Sequence, residues 1–315
     1  MSYAPTPGRV PAHVSDRHQV LTGNGLAVAS MVLFAAGFPA ADILLQGWHP
    51  IFLITVRLIM AMLAMIPLWV LIEGIEPLRW APWIKGIRIG FFGFGLATTM
   101  LLFAQWYTDP VMVALIASTT PIAATLIEVW DGQRRLTRNF TLGLGLSVAG
   151  GVVAAGGQFN WNLGLGVLLA LGSGFLFSWA SNAAVRQLPT LTPIGRSTVT
   201  FAGAGVFVAL LMAGGSITGL VPVPASISFA EFGYLSIYAV AAMGLSQILF
   251  IASVGRIGVG LTSFHINATP FYVMVIMVAL GASWDIRALI GATIVGFGVI
   301  LSQRRQRHQI ETPSP

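Results

Sequence analysis

The sequence predicts an all-α polytopic membrane protein: ten transmembrane helices in two inverted five-helix repeats, with both termini cytoplasmic. Three observations predict it. Of 315 residues, 56% are hydrophobic and only 8% charged, with a mean hydropathy of +0.84, whereas a soluble domain carries about 25% charge. Apolar runs long enough to span a bilayer recur along almost the whole chain. A Thr-Pro pair also falls in the middle of two of these runs, at Thr120–Pro121 and Thr269–Pro270.

The elements follow in order from the apolar windows: 23–43, 50–72, 84–107, 110–130, 139–157, 163–185, 195–214, 231–254, 258–280 and 286–303. At 1.5 Å per residue, roughly 20 residues cross about 30 Å of hydrocarbon. The stretch before Val20 is polar, contains Pro and lacks the basic flank of a signal peptide, so 1–20 is expected to be a disordered cytoplasmic tail. Two halves follow, 21–160 and 161–305, and 306–315 forms a second cytoplasmic tail. The breaks between spans are short; the longest, Gly215–Ala230, carries no charge beyond its apolar and Pro-rich "GLVPVPAS". No segment has room for a soluble catalytic domain.

The basic residues test the count. With the N-terminus inside, Arg9, Arg17, Arg79, Lys85, Arg88, Arg134, Arg135, Arg138, Arg186, Arg196, Arg256, Arg304, Arg305 and Arg307 all fall on cytoplasmic segments. That is 14 of 16; Arg287 alone lies outside, and Arg57 lies within a span. Such a bias is what the positive-inside rule demands, and a miscounted span would scramble it. The formal charge of +6 is spread over these breaks without a basic stripe, which gives no footprint for nucleic acid. Cysteine is absent, which excludes disulfides and thiolate metal sites.

The Thr-Pro pairs anchor a repeat. Without gaps, "QWYTDPVMVALIASTTP" (Gln105–Pro121) falls on "VGRIGVGLTSFHINATP" (Val254–Pro270), 149 residues on. Downstream, Gly143 answers Gly291 and Gly150 answers Gly298 to within one residue. Five spans separate equivalent points, so the second half runs upside down relative to the first. Inverted repeats are a hallmark of secondary transporters, whose substrate site lies near the midplane between the halves.

From Gly23 to Arg305 the chain resembles the drug/metabolite transporter superfamily, in its ten-helix EamA-type branch. The mid-helix Pro of that family falls on Pro121 and Pro270. Its Gly-rich fifth and tenth helices fall on "LGLGLSVAGGVVAAG" (Leu142–Gly156) and "IGATIVGFGVILSQRR" (Ile290–Arg305). The Gly-Glu pair that many relatives carry after helices four and nine is replaced by "WDGQRRLTR" and "LGASWDIRA", where Asp131 and Asp285 remain as acidic groups able to anchor a helix end. Within the superfamily the chain is most similar to the YddG-type exporters. That likeness implies export of amino acids, aromatic ones included, across the cell inner membrane by a protein that acts as a monomer without an ATPase subunit.

Polar residues inside spans tend to face a cavity or another helix. On the ninth span, a 100° step places Thr262, His265, Thr269 and Tyr272 on one side, with Ser263, Asn267 and Pro270 in another sector. Pro270 lacks an N–H and frees the carbonyl of Ile266, so Pro121 and Pro270 read either as cavity-shaping, gating bends or as tolerated kinks. His265 reads as a cavity residue or as a packed helix contact. Ser118 and Thr119 of "ASTTP" either line the cavity or bond back to the preceding turn. Ser178, Ser181 and Asn182 share a face of the sixth span, beside Trp179, the aromatic candidate for the pocket. Thr98 and Thr99 stand on the third span, with Gln105, Trp106 and Tyr107 near its outer end.

Arg57 is the one basic residue within a span, and a permanent cation there must be paired or hydrated. Asp42 is its candidate partner, and the carboxylate of a substrate is the alternative. No acidic residue stands at the midplane, which favours a facilitator driven by the substrate's own gradient. Signatures for ATP binding, for metal ligation and for a nucleophile elbow are absent, so neither a cofactor nor an enzymatic activity is expected. Two rivals remain: a multidrug or other metabolite carrier, whose cationic cargo would call for a buried carboxylate, and a membrane-embedded enzyme or scaffold, which would need clustered catalytic residues at one depth.

Overall fold

The computed structural model describes residues 12–130, 137–156, 161–250, 252–253, 256–257 and 265–303. Their regular elements are all helical. The first elements are α1 (Ala12–Leu45) and α2 (Pro50–Glu73), a short α3 (Glu76–Trp80) and α4 (Trp83–Tyr107). The fourth apolar run is divided between α5 (Pro110–Ala117) and α6 (Thr120–Trp130), and α7 (Arg138–Ala154) closes the first half. The second half holds α8 (Trp161–Gln187), α9 (Pro193–Ile217), α10 (Phe229–Phe250), α11 (Thr269–Ala279) and α12 (Ile286–Gln303). Six of them, α1, α2, α4, α8, α9 and α10, are long and apolar enough to cross a membrane.

Within the stretch 1–20, residues 1–11 lie outside the described residues and Ala12 onward belongs to α1. No Gly or Pro falls between Ala12 and Thr22, so nothing stops a polar extension of the first helix. One expectation needs correction, and it concerns the Thr-Pro pairs. Neither Pro bends a continuous helix; each stands at the start of a new one, α6 or α11. The fixed φ of Pro suits the first helical turn, where its missing N–H costs nothing. Before α11 the chain makes a 3₁₀ turn, His265–Ala268, so the α-helical projection of this segment does not hold there.

Two wide π-helical segments interrupt α4 at Gly90–Gly95 and α10 at Ile237–Leu245. Their positions correspond under the 149-residue offset. The packing shows the same correspondence: α4 lies on α8 as α10 lies on α1, α4 lies on α9 as α10 lies on α2, and α6 lies on α8 as α11 lies on α1. Each pairing thus recurs with the halves exchanged.

The most extensive pairing joins α7 to α12. Its seam is built on glycine because the backbones touch. A Cβ on Gly143 would stand 2.3 Å from the Gly298 carbonyl oxygen, and one on Gly291 would stand 2.6 Å from that of Gly150. No side chain fits such a gap.

Two apolar cores flank the centre. One joins α2, α4, α9 and α10, with Leu53, Leu58, Trp69, Val199 and Val208 fully buried. The other joins α5, α6, α11, α7 and α12 around Val113, Val273 and Val295. Helix α1 serves both, giving Ala35 and Phe38 to the second and Ala41 and Leu44 to the first.

Candidate functional site

Arg57 is the only charged side chain among the described buried residues, with 7% of its surface exposed. It lies in the second turn of α2, where the apolar run Pro50–Val56 before it gives the side chain no route to snorkel except along the protein. It is not paired with Asp42: among the described residues the one ion pair within 4.0 Å is Arg79–Glu76. The guanidinium instead lies over the Tyr238 ring, 3.8 Å from its centroid, and its Nε donates to the Tyr238 carbonyl at 3.3 Å. That carbonyl belongs to the π-helical segment of α10. A carbonyl oxygen has two lone pairs, so the Tyr238 carbonyl can accept from Arg57 as well as from its own helix.

Around this pair is a small pocket of about 20 Å³, lined by Phe34, Gly37 and Phe38 of α1, Arg57, Leu101, Leu102 and Gln105 of α4, and Tyr238. Gln105 is 4% exposed, and its Nε2 donates to the Phe38 carbonyl at 2.7 Å. Four helices drawn from both halves therefore converge on one cation, one amide and three aromatic rings. A larger cavity of about 550 Å³ lies between α2 and α9; Leu58, Ile59, Met62, Leu63, Val206 and others make it apolar throughout.

The hydroxyls singled out in the sequence serve their own helices in this conformation. Thr98 donates to the Phe94 carbonyl at 2.7 Å and Thr99 to the Gly95 carbonyl at 2.8 Å, both in the π-helical segment of α4. Ser118 and Thr119 donate to the carbonyls of Leu115 and Ile116, each at 2.7 Å, and so close off α5. Ser178 donates to Gly174 at 2.8 Å and reaches the Thr120 carbonyl at 3.4 Å, which brings the sixth span onto the break in the fourth. Trp179 is 39% exposed and its ring edge borders Gly93 of α4. Ser181, Asn182, His265 and Tyr272 are half-buried.

In the ninth span, Thr269 is buried and donates to the Met31 sulfur at 3.7 Å. Pro270 is buried beside it, and Pro121 is the second residue of α6. Thr262, Ser263 and Asp131 lie outside the described residues. Asn267 is 8% exposed, and neither atom of its amide has a hydrogen-bond partner. Asp285 fulfils the anchoring expected of it, accepting from the backbone N–H groups of Arg287 and Ala288 at 2.8 and 3.1 Å at the start of α12. Tyr238 escaped sequence reasoning. A phenol near the middle of an apolar span, rather than at either end where aromatic belts form, was the signal that could have found it.

Comparison with known proteins bears on this arrangement. Residues 21–155 match the profile of the EamA-like transporter family. No curated protein matches the chain. Among solved structures, 27 chains match. One, a protein known from its crystal structure, is 17% identical and superposes with a TM-score of 0.65 over 91% of this chain and 98% of its own. At that identity the likeness concerns the fold.

Proposed function

We propose that this chain, which over residues 21–155 matches the EamA-like transporter family, is a secondary transporter that exports amino acids, aromatic ones included, across the cytoplasmic membrane. Members of that family carry small molecules across membranes and are not enzymes. In this reading ten spans form two inverted halves, and the protein works as a monomer. The observation that carries it is the exchange of helix pairings between the halves. Two arrangements of equal standing exist for such a molecule, one open to each side, and rocking between them is alternating access.

The broken fourth and ninth spans supply the discontinuity that transporter sites use. Ser118, Thr119, Pro121, Thr269 and Pro270 stand at those breaks, with Ser178 and Trp179 beside the first and His265 and Tyr272 beside the second. Thr98, Thr99, Ser181 and Asn182 complete the candidate lining. In the conformation described, the hydroxyls of Thr98, Thr99, Ser118, Thr119, Ser178 and Thr269 are engaged within the protein, as expected of a closed state. No carboxylate is buried among the described residues, which disfavours a carrier of organic cations.

The test is reconstitution into vesicles and measurement of labelled phenylalanine and leucine flux, with and without a pH gradient. Saturable flux that does not need the gradient is expected. Absence of saturable amino-acid flux in either direction sinks the substrate assignment.

A further inference from the structure

The buried guanidinium has chemistry left over. Stacked on Tyr238 and bonded through Nε, Arg57 keeps the edge formed by its two terminal nitrogens free of any described carboxylate. Such an edge matches a carboxylate bidentately. Gln105 spends one amide N–H on the Phe38 carbonyl, which leaves its carbonyl oxygen as an acceptor on the same pocket. The rings of Phe34 and Phe38, in edge-to-face contact at 5.4 Å, form an adjoining wall.

We infer that Arg57, Gln105, Phe34 and Phe38 form the subsite for the head group of an aromatic α-amino acid. Arg57 takes the α-carboxylate, the Gln105 oxygen accepts from the α-ammonium, and the phenyl wall meets the side chain. The assignment rests on the transport reading above for its substrate class, and on the buried cation for its location. Holding a cation in the apolar interior of a span is costly, and a bound carboxylate offsets that cost. The pocket has room for about one water, so the conformation described is closed, and the ligand enters as α1 moves off α10.

The test uses purified full-length protein in detergent, with melting temperature read against L-phenylalanine, 3-phenylpropionate and phenethylamine. Phenylalanine is expected to stabilise most, 3-phenylpropionate next, and phenethylamine, which has no carboxylate, not at all. R57Q should shift half-saturation by phenylalanine upward by roughly 30-fold or more, the usual loss when one partner of a buried charge pair is truncated. Q105L should weaken phenylalanine more than 3-phenylpropionate.

An unchanged response in R57Q, or equal stabilisation by phenethylamine and phenylalanine, overturns the assignment. Should R57Q fail to fold, the three ligands on the wild type and on Q105L still decide the matter. Carboxylate-dependent stabilisation without vesicle flux would keep this subsite and remove the transport reading. Flux and stabilisation indifferent to the carboxylate would do the reverse.

Discussion

Asn267 is buried with both halves of its amide unbonded, and an orphan of this kind costs about 1–3 kcal/mol. Replacing it with Leu should therefore leave the melting temperature of the ligand-free protein unchanged or raised, while flux in vesicles falls. A melting temperature lowered by several degrees would show that the amide is bonded in the resting protein. Arg57 was legible as a residue that needs a partner, since its position inside a span follows from the apolar run alone. Its partner was not legible: Tyr238 lies 181 residues away, and the acceptor it offers is a backbone carbonyl inside a π-helical segment that no residue pattern announces. Asn267 was likewise visible as polar, but its burial depended on a 3₁₀ turn that rotates it away from where a regular helix would place it.

The broken spans show how one element departs from its sequence pattern. A Pro in mid-run reads as a bend. Here Ser118 and Thr119 take the carbonyls of Leu115 and Ile116, the first half-helix ends, and the Pro starts another. Which carbonyls the hydroxyls take decides between bend and break, and periodicity carries no record of it. The α7–α12 seam was more accessible, because glycine at repeated offsets marks close helix approach. Gly143→Val should destabilise the protein by about 1–3 kcal/mol or more through overpacking, read as a lowered melting temperature in detergent. Gly145→Ala, at a position where an added Cβ meets nothing within 4 Å, should be neutral or slightly stabilising. Equal effects from both would show that the seam is not close-packed.

For the whole molecule, charge distribution and apolar runs predict ten spans and their direction, and six helices among the described residues are long and apolar enough to cross a membrane; those are properties of lipid and water that act on any sequence. How the spans pair was not contained in them. The absence of cysteine makes the topology testable with single introduced thiols. Cysteines at Gln46, Thr218 and Ala282, all exposed, should react with an impermeant maleimide from outside intact cells. Cysteines at Glu76 and Gln187, also exposed, should react only after permeabilisation. Labelling of either inner position in intact cells refutes the ten-span arrangement.

The glycine seam has one further consequence. Gly143 meets Gly298 while Gly150 meets Gly291, and the repeat equates Gly143 with Gly291 and Gly150 with Gly298. In the inverted-repeat reading proposed above, what the second half presents along this edge is the edge of the first half, turned end for end. The surface is self-complementary, like the contact in a symmetric dimer. On that proposal, a five-helix half carrying Gly143 and Gly150 would hold, on its own, the seam surface that a second copy of itself would need.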